Sequence, residues 1–431
     1  MIQALTFLST YFATRRRRFL DRAALEAWQA RRLKRALERA RRVFPFYRKV
    51  VAAELADFPV LDKPAWLENF ASLNDHGLEL EACLRLAREA EARRDFTARL
   101  GGVAIGLSTG TSGRQGVFLT SPAERARWAG TVLAKALPAG LLAGARVALV
   151  LRAGGPLYEA VGGRRVRFRF FDLARPLDDH AAELAAFAPT VLVAPPQALV
   201  YLAALRRAGG LAIRPATIYS VAEVLEPRDR AAIEGSFGGT LHEIYQATEG
   251  FLGITCRLGR LHLNEDLLFF EREWLDRTTR RFVPIVTDLF RTTQAIVRYR
   301  LGDVLVAAAE PCPCGSPMTA IERIEGRTDD LLRLPGAVSG DLKSVFPDFV
   351  RGAVLGVPGM EDFRLVQESP DHLVLAVRPP ELQDQAAAAL AQLFQRDGLR
   401  VPEITAGEFK PFRPEVKLRR VRSVLGGLRE G

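Results

Sequence analysis

The distribution of apolar and polar residues divides the chain into regions of different structure. Residues 20–42 are rich in Ala, Leu, Glu and Arg without internal Gly or Pro, which predicts one long helix that starts near Asp21. From about residue 100, short apolar runs alternate with helical patterns. The runs are 117–120, 147–151, 191–194 and 216–221, and the helical patterns are 121–136, 178–187, 196–208 and 227–235. This alternation predicts a mostly parallel sheet with helices on both faces.

The remainder of the chain has a different pattern. Residues 251–308 read as strands with few helical patterns, including Leu267–Phe270, Val283–Val286 and Ala295–Tyr299. After residue 331, a strand at Asp371–Val377 and a helix at Gln383–Asp397 predict a small α+β unit. The expected fold is therefore α/β, with a large N-terminal domain and a small C-terminal domain. The predicted divisions are 1–100 (helical), 101–250 (α/β core), 251–326 (β-rich), a first domain ending at 327, and a second domain at 328–431.

The N-terminal segment is apolar up to residue 12 and is followed by Arg15–Arg18. Secretory signals carry their basic residues before the apolar stretch, so the order here is reversed. No run approaches the ~20 apolar residues that a membrane span needs. An amphipathic helix packed on its own domain is favoured over one that lies on an anionic membrane.

Composition and charge narrow the functional classes. The chain has 431 residues, of which 48% are apolar and 26% charged, which excludes wholesale disorder. The net charge of +11 favours anionic partners such as nucleotides, CoA or acidic carrier proteins, although an Arg-rich surface without a specific partner has the same charge. Nucleic acid is not expected, because interleaved aromatics and a helix-turn-helix cue are missing. Four cysteines in a chain of this length argue against a disulfide framework and favour a reduced, cytoplasmic compartment.

A Gly/Ser/Thr cluster at 107–116 has the composition of an anion-binding loop. Glycines allow the backbone N–H groups to approach an anion, while hydroxyls and one guanidinium add further donors. The segment matches neither the Walker A pattern nor the dinucleotide fingerprint, so a flexible surface loop is the alternative. The candidate phosphate-binding residues are Ser108, Thr109, Gly110, Thr111, Ser112, Gly113 and Arg114.

Three further segments follow this loop in a specific order: Tyr245–Glu249, Tyr299–Asp303 and Gly326–Asp330. With the loop, they resemble the signatures of the adenylate-forming superfamily, which comprises acyl-CoA ligases, luciferases and adenylation domains. The chain is most similar to the phenylacetate-CoA ligase branch and to synthetases that adenylate a deazaflavin coenzyme. Its length, the Pro45–Arg48 segment and its cysteine pattern carry that finer resemblance.

The resemblance assigns ATP-binding roles that agree with the chemistry of the side chains. Glu249 offers a carboxylate to Mg²⁺ on the phosphates, and Thr248 can donate to a phosphoryl oxygen. Tyr245 offers a ring face to adenine, Asp303 can accept from both ribose hydroxyls, and Arg327 brings positive charge to the phosphates or ribose. A solvated surface position is the alternative for any one of these residues alone.

The resemblance also implies a mobile C-terminal domain with a catalytic lysine. Asp329 would mark the hinge, and Lys417 best matches the lysine that contacts the transferring phosphoryl group. Val416 stands where the family usually has Gly, so Lys410 is kept as a second candidate.

Cysteine and histidine residues form a candidate metal site. Cys256, His262, Cys312 and Cys314 supply a Cys₃His set, which is common in closed, structural Zn²⁺ sites. The Cys-x-Cys spacing is tighter than the usual one, and four buried reduced side chains are the alternative. Members of the phenylacetate-CoA ligase branch carry a similar arrangement. Cys83 is expected to be an ordinary core residue.

The predicted function is ATP-dependent activation of an aryl or acyl carboxylate to an acyl-adenylate, with release of pyrophosphate, followed by transfer to CoA or another acceptor. One alternative transfers the adenylyl or acyl group to an amine, a phosphate or an acyl carrier protein. Another is a non-catalytic interaction protein. It is supported by three departures from the family's signature segments: Arg114, Val416 and the pair Gln246–Ala247. Pocket residues are expected near 194–196 and 220–223, while the acyl substrate and a homodimeric state stay open.

Overall fold

A computed structural model gives the architecture of residues 2–51, 54–95, 97–107, 115–152, 154, 158, 160, 162–410 and 419–425. Two compact units are present. The first comprises residues 1–301 and 307–322, and the second comprises 302–306 and 323–431. The prediction of an α/β fold with a large N-terminal part and a smaller C-terminal part is confirmed, while the boundary at 327/328 stays a prediction.

Helices and strands alternate through most of the first unit and part of the second. The α-helices are α1 (Ile2–Arg16), α2 (Arg22–Val43), α3 (Lys63–Glu68), α4 (Leu80–Ala92), α5 (Pro122–Ala136), α6 (Leu177–Phe187), α7 (Pro196–Arg207), α8 (Pro227–Phe237), α9 (Pro347–Leu355) and α10 (Gln383–Arg396). The first eight strands are β1 (Arg99–Leu100), β2 (Val103–Leu107), β3 (Val117–Thr120), β4 (Ala145–Leu151), β5 (Val166–Asp172), β6 (Val191–Ala194), β7 (Thr217–Val221) and β8 (Leu241–Ala247), of which β1–β3 form a separate small sheet. The later strands are β9 (Gly250–Thr255), β10 (Leu261–Leu263), β11 (Leu268–Asp276), β12 (Arg281–Asp288), β13 (Tyr299–Arg300), β14 (Asp303–Ala307), β15 (Ala320–Arg327), β16 (Leu332–Pro335), β17 (Leu342–Val345), β18 (Asp362–Ser369), β19 (His372–Arg378), β20 (Glu403–Ala406) and β21 (Val421–Ser423).

The helix boundaries follow local sequence signals. Asp21 caps α2, since its side chain accepts a hydrogen bond from the Ala24 N–H at 2.8 Å. Ser121 and Glu124 form a capping box at the start of α5. Proline opens α5, α7 and α8, because its missing N–H is not needed in the first turn.

The sheet of the first unit is parallel at its centre. Strands pair in the order β5-β4-β6-β7-β8, all in parallel, and β9 and β10 then add antiparallel neighbours. Apolar side chains from these strands and from α6, α7 and α8 form a buried core. Crossover helices cover the sheet, which explains why the central strands are apolar runs rather than alternating patterns.

The N-terminal helix packs on α5, as predicted. A Cβ added to Gly130 of α5 would lie 2.6 Å from the Phe7 carbonyl oxygen, so the glycine permits the close approach of the two helices. Tyr11 is buried, and its hydroxyl accepts from the Leu141 N–H at 2.7 Å. Among the described residues, none of the helices combines the length and apolar character needed to cross a membrane.

One strand prediction is wrong. Residues 295–298 were expected to continue the strand that ends at Tyr299, but the strand is confined to Tyr299–Arg300. Arg298 has φ of +46°, a left-handed conformation that interrupts an extended ladder. Its guanidinium binds both carboxylate oxygens of Glu271, at 3.0 and 2.7 Å, which stabilises this backbone bend through a tertiary contact.

The second unit has a core of its own. A hairpin of β16 and β17 accompanies a sheet of order β20-β19-β18-β21, in which the β18–β19 pair is antiparallel. Helices α9 and α10 contribute Val350, Val354, Leu390 and Phe394 to the buried cluster that packs on this sheet. The predicted strand at 371–377 and helix at 383–397 are confirmed within a residue of their ends.

Candidate functional site

The carboxyl ends of the parallel strands gather polar side chains at one edge of the sheet. Strands β4, β6, β7 and β8 are neighbours, and the residues that follow them include Arg152, Gln197, Glu223 and Glu249. In open α/β sheets, ligands bind outside the carboxyl ends of the strands. This edge of the first unit is therefore the candidate active site.

The β8–β9 hairpin presents the predicted Thr-Glu pair at its turn. Thr248 Oγ1 donates to Glu249 Oε2 at 3.0 Å, and both residues are half-buried. Tyr245 is buried in β8, and the register shifts directly after it, which indicates a β-bulge in the pairing with β9. Bulges re-aim side chains and are common next to active sites. Tyr245 near the end of β8 and the Thr248–Glu249 turn that follows it therefore lie together at the carboxyl edge of the sheet.

Trp128 and Arg152, which sequence reasoning did not single out, lie near the carboxyl ends of these strands. Trp128 of α5 donates through Nε1 to Gln246 Oε1 at 3.3 Å, and its ring meets Tyr158 edge-on with centroids 5.8 Å apart. Arg152 forms a 2.6 Å ion pair with Glu223, one of the residues predicted near the pocket. The signal for Arg152 was its position directly after the apolar run 147–151.

Ser220 and Gln197 at this edge have polar atoms with unused hydrogen-bonding capacity. Within the described residues, the buried Ser220 Oγ and both amide atoms of Gln197 have no hydrogen-bond partner. Buried polar groups in folded proteins are nearly always satisfied, so each exception needs an explanation. A polar ligand at the carboxyl edge would supply the missing partners.

The second unit holds the other predicted nucleotide-binding side chains. Arg327 Nη1 lies 3.5 Å from Asp303 Oδ1, and its Nε lies 3.9 Å from Asp329 Oδ2. A Cβ on Gly302 would lie 3.0 Å from Arg327 Cζ and closer still to Nη2. The absence of a side chain at residue 302 thus allows the guanidinium to sit against the backbone beside Asp303.

Arg419, near the C-terminus, forms an ion pair with Asp330, which directly follows the predicted hinge residue Asp329. Arg419 Nε donates to Asp330 Oδ1 at 2.8 Å. Burial raises the pKa of the Asp330 carboxyl above its ordinary value, although the Arg419 guanidinium opposes that shift. Lys417 and Val416 lie outside the described residues, as do Ser108, Thr109, Gly110, Thr111, Ser112, Gly113 and Arg114. Lys410 is described and exposed.

The four predicted metal ligands come together in the first unit. The Sγ atoms of Cys256, Cys312 and Cys314 and a ring nitrogen of His262 all lie within 4.8 Å of one another. Cys256 Sγ is 3.8 Å from Cys312 Sγ, which is too far for a disulfide. Cys314 Sγ is 3.5 Å from His262 Nε2. Cys83, by contrast, is a buried residue of α4, as expected of a core cysteine.

These separations suit a tetrahedral zinc ion. Zn–S bonds of ~2.3 Å and Zn–N bonds of ~2.05 Å at the tetrahedral angle place two sulfurs ~3.8 Å apart and a sulfur and a nitrogen ~3.6 Å apart. The observed 3.8 and 3.5 Å agree with both values. Four protein ligands leave no open coordination position, so the site fits a structural ion rather than a catalytic one.

Backbone groups orient the four ligands. His262 Nδ1 is 3.1 Å from the Met318 carbonyl oxygen, which requires a proton on Nδ1 and leaves the Nε2 lone pair facing Cys314. The N–H groups of Leu258 and Ser316 donate to Cys256 Sγ and Cys314 Sγ, each at 3.4 Å. Such donors stabilise thiolates, the form in which cysteine binds metals.

Comparison with known proteins adds a fold assignment. No family model matches the chain. A curated relative, phenylacetate-coenzyme A ligase of Thermus thermophilus, is 26% identical over 156 residues, which are 35% of this chain and 28% of that ligase, so the match spans less than a third of the relative. The crystal structure of 2-hydroxyisobutyryl-CoA ligase with R3-HIB-AMP has a TM-score of 0.66 at 18% identity, over 93% of this chain and 90% of that one. The amide bond synthetase McbA from Marinactinospora thermotolerans has a TM-score of 0.52 at 14% identity, over 74% and 68% of the two chains. The chain therefore has the fold of the adenylate-forming ligases, as its signature segments predict.

Proposed function

We propose that the protein is an ATP-dependent ligase that activates a carboxylate as an acyl-adenylate, releases pyrophosphate and then transfers the acyl group to CoA or another acceptor. The observation that carries this proposal is the Thr248–Glu249 turn at the carboxyl edge of the parallel sheet. The same edge carries the Arg152–Glu223 pair and the unsatisfied Ser220 and Gln197 side chains. The reaction needs a carboxylate that binds a cation, together with polar groups that bind a nucleotide and an acid, at one edge of the sheet.

The chemistry places a specific demand on the protein. A carboxylate oxygen attacks the α-phosphorus of ATP, the bond to the bridging oxygen breaks, and pyrophosphate leaves with the electron pair. Because both reactants are anionic, catalysis must come from in-line positioning and charge neutralisation. Mg²⁺ would neutralise phosphate charge, and the half-buried Glu249 oxygens are the hard ligands it prefers.

The other residues have separate tasks in this proposal. With ATP bound, the Thr248 hydroxyl would turn from Glu249 to donate to a phosphoryl oxygen, and Tyr245 would offer its ring to adenine. Asp303 accepts hydrogen bonds from the ribose hydroxyls, and Arg327, held beside it at 3.5 Å, contributes positive charge. Loop 108–114 would bind the β- and γ-phosphates, and Lys417 would contact the transferring phosphoryl group. Because the loop lacks a P-loop lysine, Glu249-bound Mg²⁺ and Lys417 would provide much of the charge.

The Cys₃His quartet would bind one structural Zn²⁺. Its 3.8 and 3.5 Å separations support this assignment, and the ion would join the β9–β10 turn to the segment around Cys312–Cys314. Bound there, zinc would stabilise the β-rich part of the first unit and would take no part in the reaction.

The final acceptor is the open part of the proposal. The two structural neighbours, a CoA ligase and an amide bond synthetase, have the same fold but transfer to different acceptors. The resemblance to the phenylacetate-CoA ligase branch favours CoA. An amine acceptor is the second candidate. An assay of AMP release distinguishes the two acceptors, because only transfer to CoA makes that release depend on CoA.

The test is ATP–pyrophosphate exchange with a panel of aryl, fatty and amino acids. We expect exchange with at least one acid and loss of about 10²–10³-fold in Glu249→Gln, because a transition-state charge contact is removed. The matched control is Glu89→Gln, which removes the same charge from an exposed position on α4. Absence of Mg²⁺–ATP binding in calorimetry together with no exchange, or equal rates in the two variants, would contradict the proposal.

A further inference from the structure

The first helix has two apolar faces, and only one of them packs on the protein. Phe7, Tyr11 and Thr14 face α5, and Tyr11 and Thr14 are buried. At 100° per residue, the residues on the opposite face are Ile2, Leu5 and Phe12. Large apolar side chains remain exposed there: Ile2 by 76%, Leu5 by 60%, Leu8 by 42% and Phe12 by 46%.

Scattered exposed apolar residues are normal, but this set forms one continuous stripe. Elsewhere in the described residues, large exposed apolar side chains such as Val51, Leu142 and Val338 lie far apart in the sequence. On α1 they recur at the helical repeat over three turns. A repeat of that kind indicates a surface that contacts something apolar.

The segment that carries the stripe has only positive charges. Residues 1–20 contain no Asp or Glu, and Arg15–Arg18 stand at the C-terminal end of α1. Arg16 lies on the outer face by helical position, and Arg16 and Arg18 are exposed. A second copy of this helix would bring like charges together, so the charge pattern disfavours self-association. An anionic lipid surface has both the apolar interior and the negative head groups that this face complements.

We propose that the outer face of α1 binds the surface of anionic membranes, with Ile2, Leu5 and Phe12 entering the acyl boundary and Arg16 and Arg18 contacting head groups. The helix lies parallel to the membrane and does not cross it. Because α1 stays packed on α5, binding requires no unfolding of the first unit. This inference is independent of the proposed ligase reaction.

Vesicle co-sedimentation of the full chain tests the proposal. We expect binding to vesicles of phosphatidylcholine with phosphatidylserine, weakening with salt, and little binding to phosphatidylcholine alone. Arg16→Gln with Arg18→Gln should weaken binding by about twenty-fivefold, since each arginine near an anionic surface contributes about fivefold, or ~1 kcal/mol. The control variant, Arg164→Gln with Arg214→Gln, loses the same two positive charges from exposed positions away from α1 and should keep full binding.

The apolar contribution is tested separately. Ile2→Ser, Leu5→Ser and Phe12→Ser together should reduce vesicle binding at least tenfold, while Leu142→Ser, Leu258→Ser and Val338→Ser together should not. Unfolding temperatures of both triple variants equal to that of the unsubstituted protein would show that the fold is intact. Equal vesicle binding by both triples overturns the proposal. The proposal is also overturned if sedimentation equilibrium shows a dimer that the triple variant of Ile2, Leu5 and Phe12 abolishes. The stripe would then be an interface between two copies of the protein.

Discussion

Replacing Gly302 by Ala should reduce adenylate formation far more than it reduces stability. An added Cβ would lie 3.0 Å from Arg327 Cζ, whereas non-bonded carbons prefer about 3.5–4.0 Å. The guanidinium must therefore move by about 0.5–1 Å, away from the position in which it lies 3.5 Å from Asp303. Misplacement by about 1 Å costs on the order of 10²-fold in rate. The ion pair is partly exposed, so its loss costs only about 0–1 kcal/mol of stability.

Pyrophosphate exchange and thermal unfolding, measured on the same preparations, separate these two effects. Gly352→Ala is the matched control, because it adds a methyl to the same unit at an exposed position of α9 where no atom lies within 4 Å of the new Cβ. That control should keep full exchange and gain about 0.5–1 kcal/mol of stability. Arg327→Gln should reproduce the loss seen in Gly302→Ala. Exchange within twofold of wild type in Gly302→Ala would refute the reasoning.

Three further predictions concern zinc, pH and the C-terminal segment. One zinc per chain should be found by elemental analysis, and Cys314→Ser should lose the metal and lower the unfolding temperature, whereas Cys83→Ser should keep the metal. Burial alone would raise the pKa of Glu124, but Arg291 and donors from Thr293, Thr292 and Ser121 lower it to about 2. Because folding lowers the pKa of Glu124, its carboxylate contributes fully to stability above pH 4.5, the ordinary pKa of Glu. About 3 kcal/mol of the free energy of unfolding should therefore be lost as the pH falls from 4.5 toward 2. The urea midpoint of Glu124→Gln should not show this pH-dependent loss. Arg419→Ala should cost about 1–3 kcal/mol by removing the guanidinium that is hydrogen-bonded to the buried Asp330 carboxylate. It should also reduce exchange, while Arg396→Ala, which removes an exposed pair with Asp397, should do neither.

Much of the fold could be predicted because the relevant signals are local. The capping residue Asp21 and the N-terminal prolines of α5, α7 and α8 mark helix starts irrespective of tertiary contacts. Apolar runs between Gly and Pro mark the parallel strands. The strand expected at 295–299 failed because a tertiary ion pair with Glu271 stabilises the left-handed Arg298, and a propensity argument cannot detect such a partner.

The candidate site was predictable to a similar extent and for a similar reason. Thr248, Glu249 and the metal quartet belong to short motifs whose spacing is informative in the sequence. Arg152 and Gln197 do not, because they reach the site through the spatial order of β4, β6, β7 and β8. Trp128 reaches it from α5, through a contact with Gln246 that the sequence does not reveal. Unsatisfied hydrogen bonds at Ser220 and Gln197 are likewise visible only when neighbouring side chains are placed.

The metal quartet and the N-terminal helices share one buried anchor, which links parts of the first unit that are distant in sequence. Residues Glu265 and Asp266 follow shortly after the ligand His262. Glu265 accepts from the Thr319 N–H at 2.6 Å, next to the cysteine segment, and from Arg22 of α2 at 2.8 Å. Asp266 forms 2.9 Å ion pairs with Arg17 and with Lys135 of α5. A metal ion that orders β10 would thereby also order the carboxylates that anchor α1 and α2, so the structural effect of zinc should extend to the N-terminus.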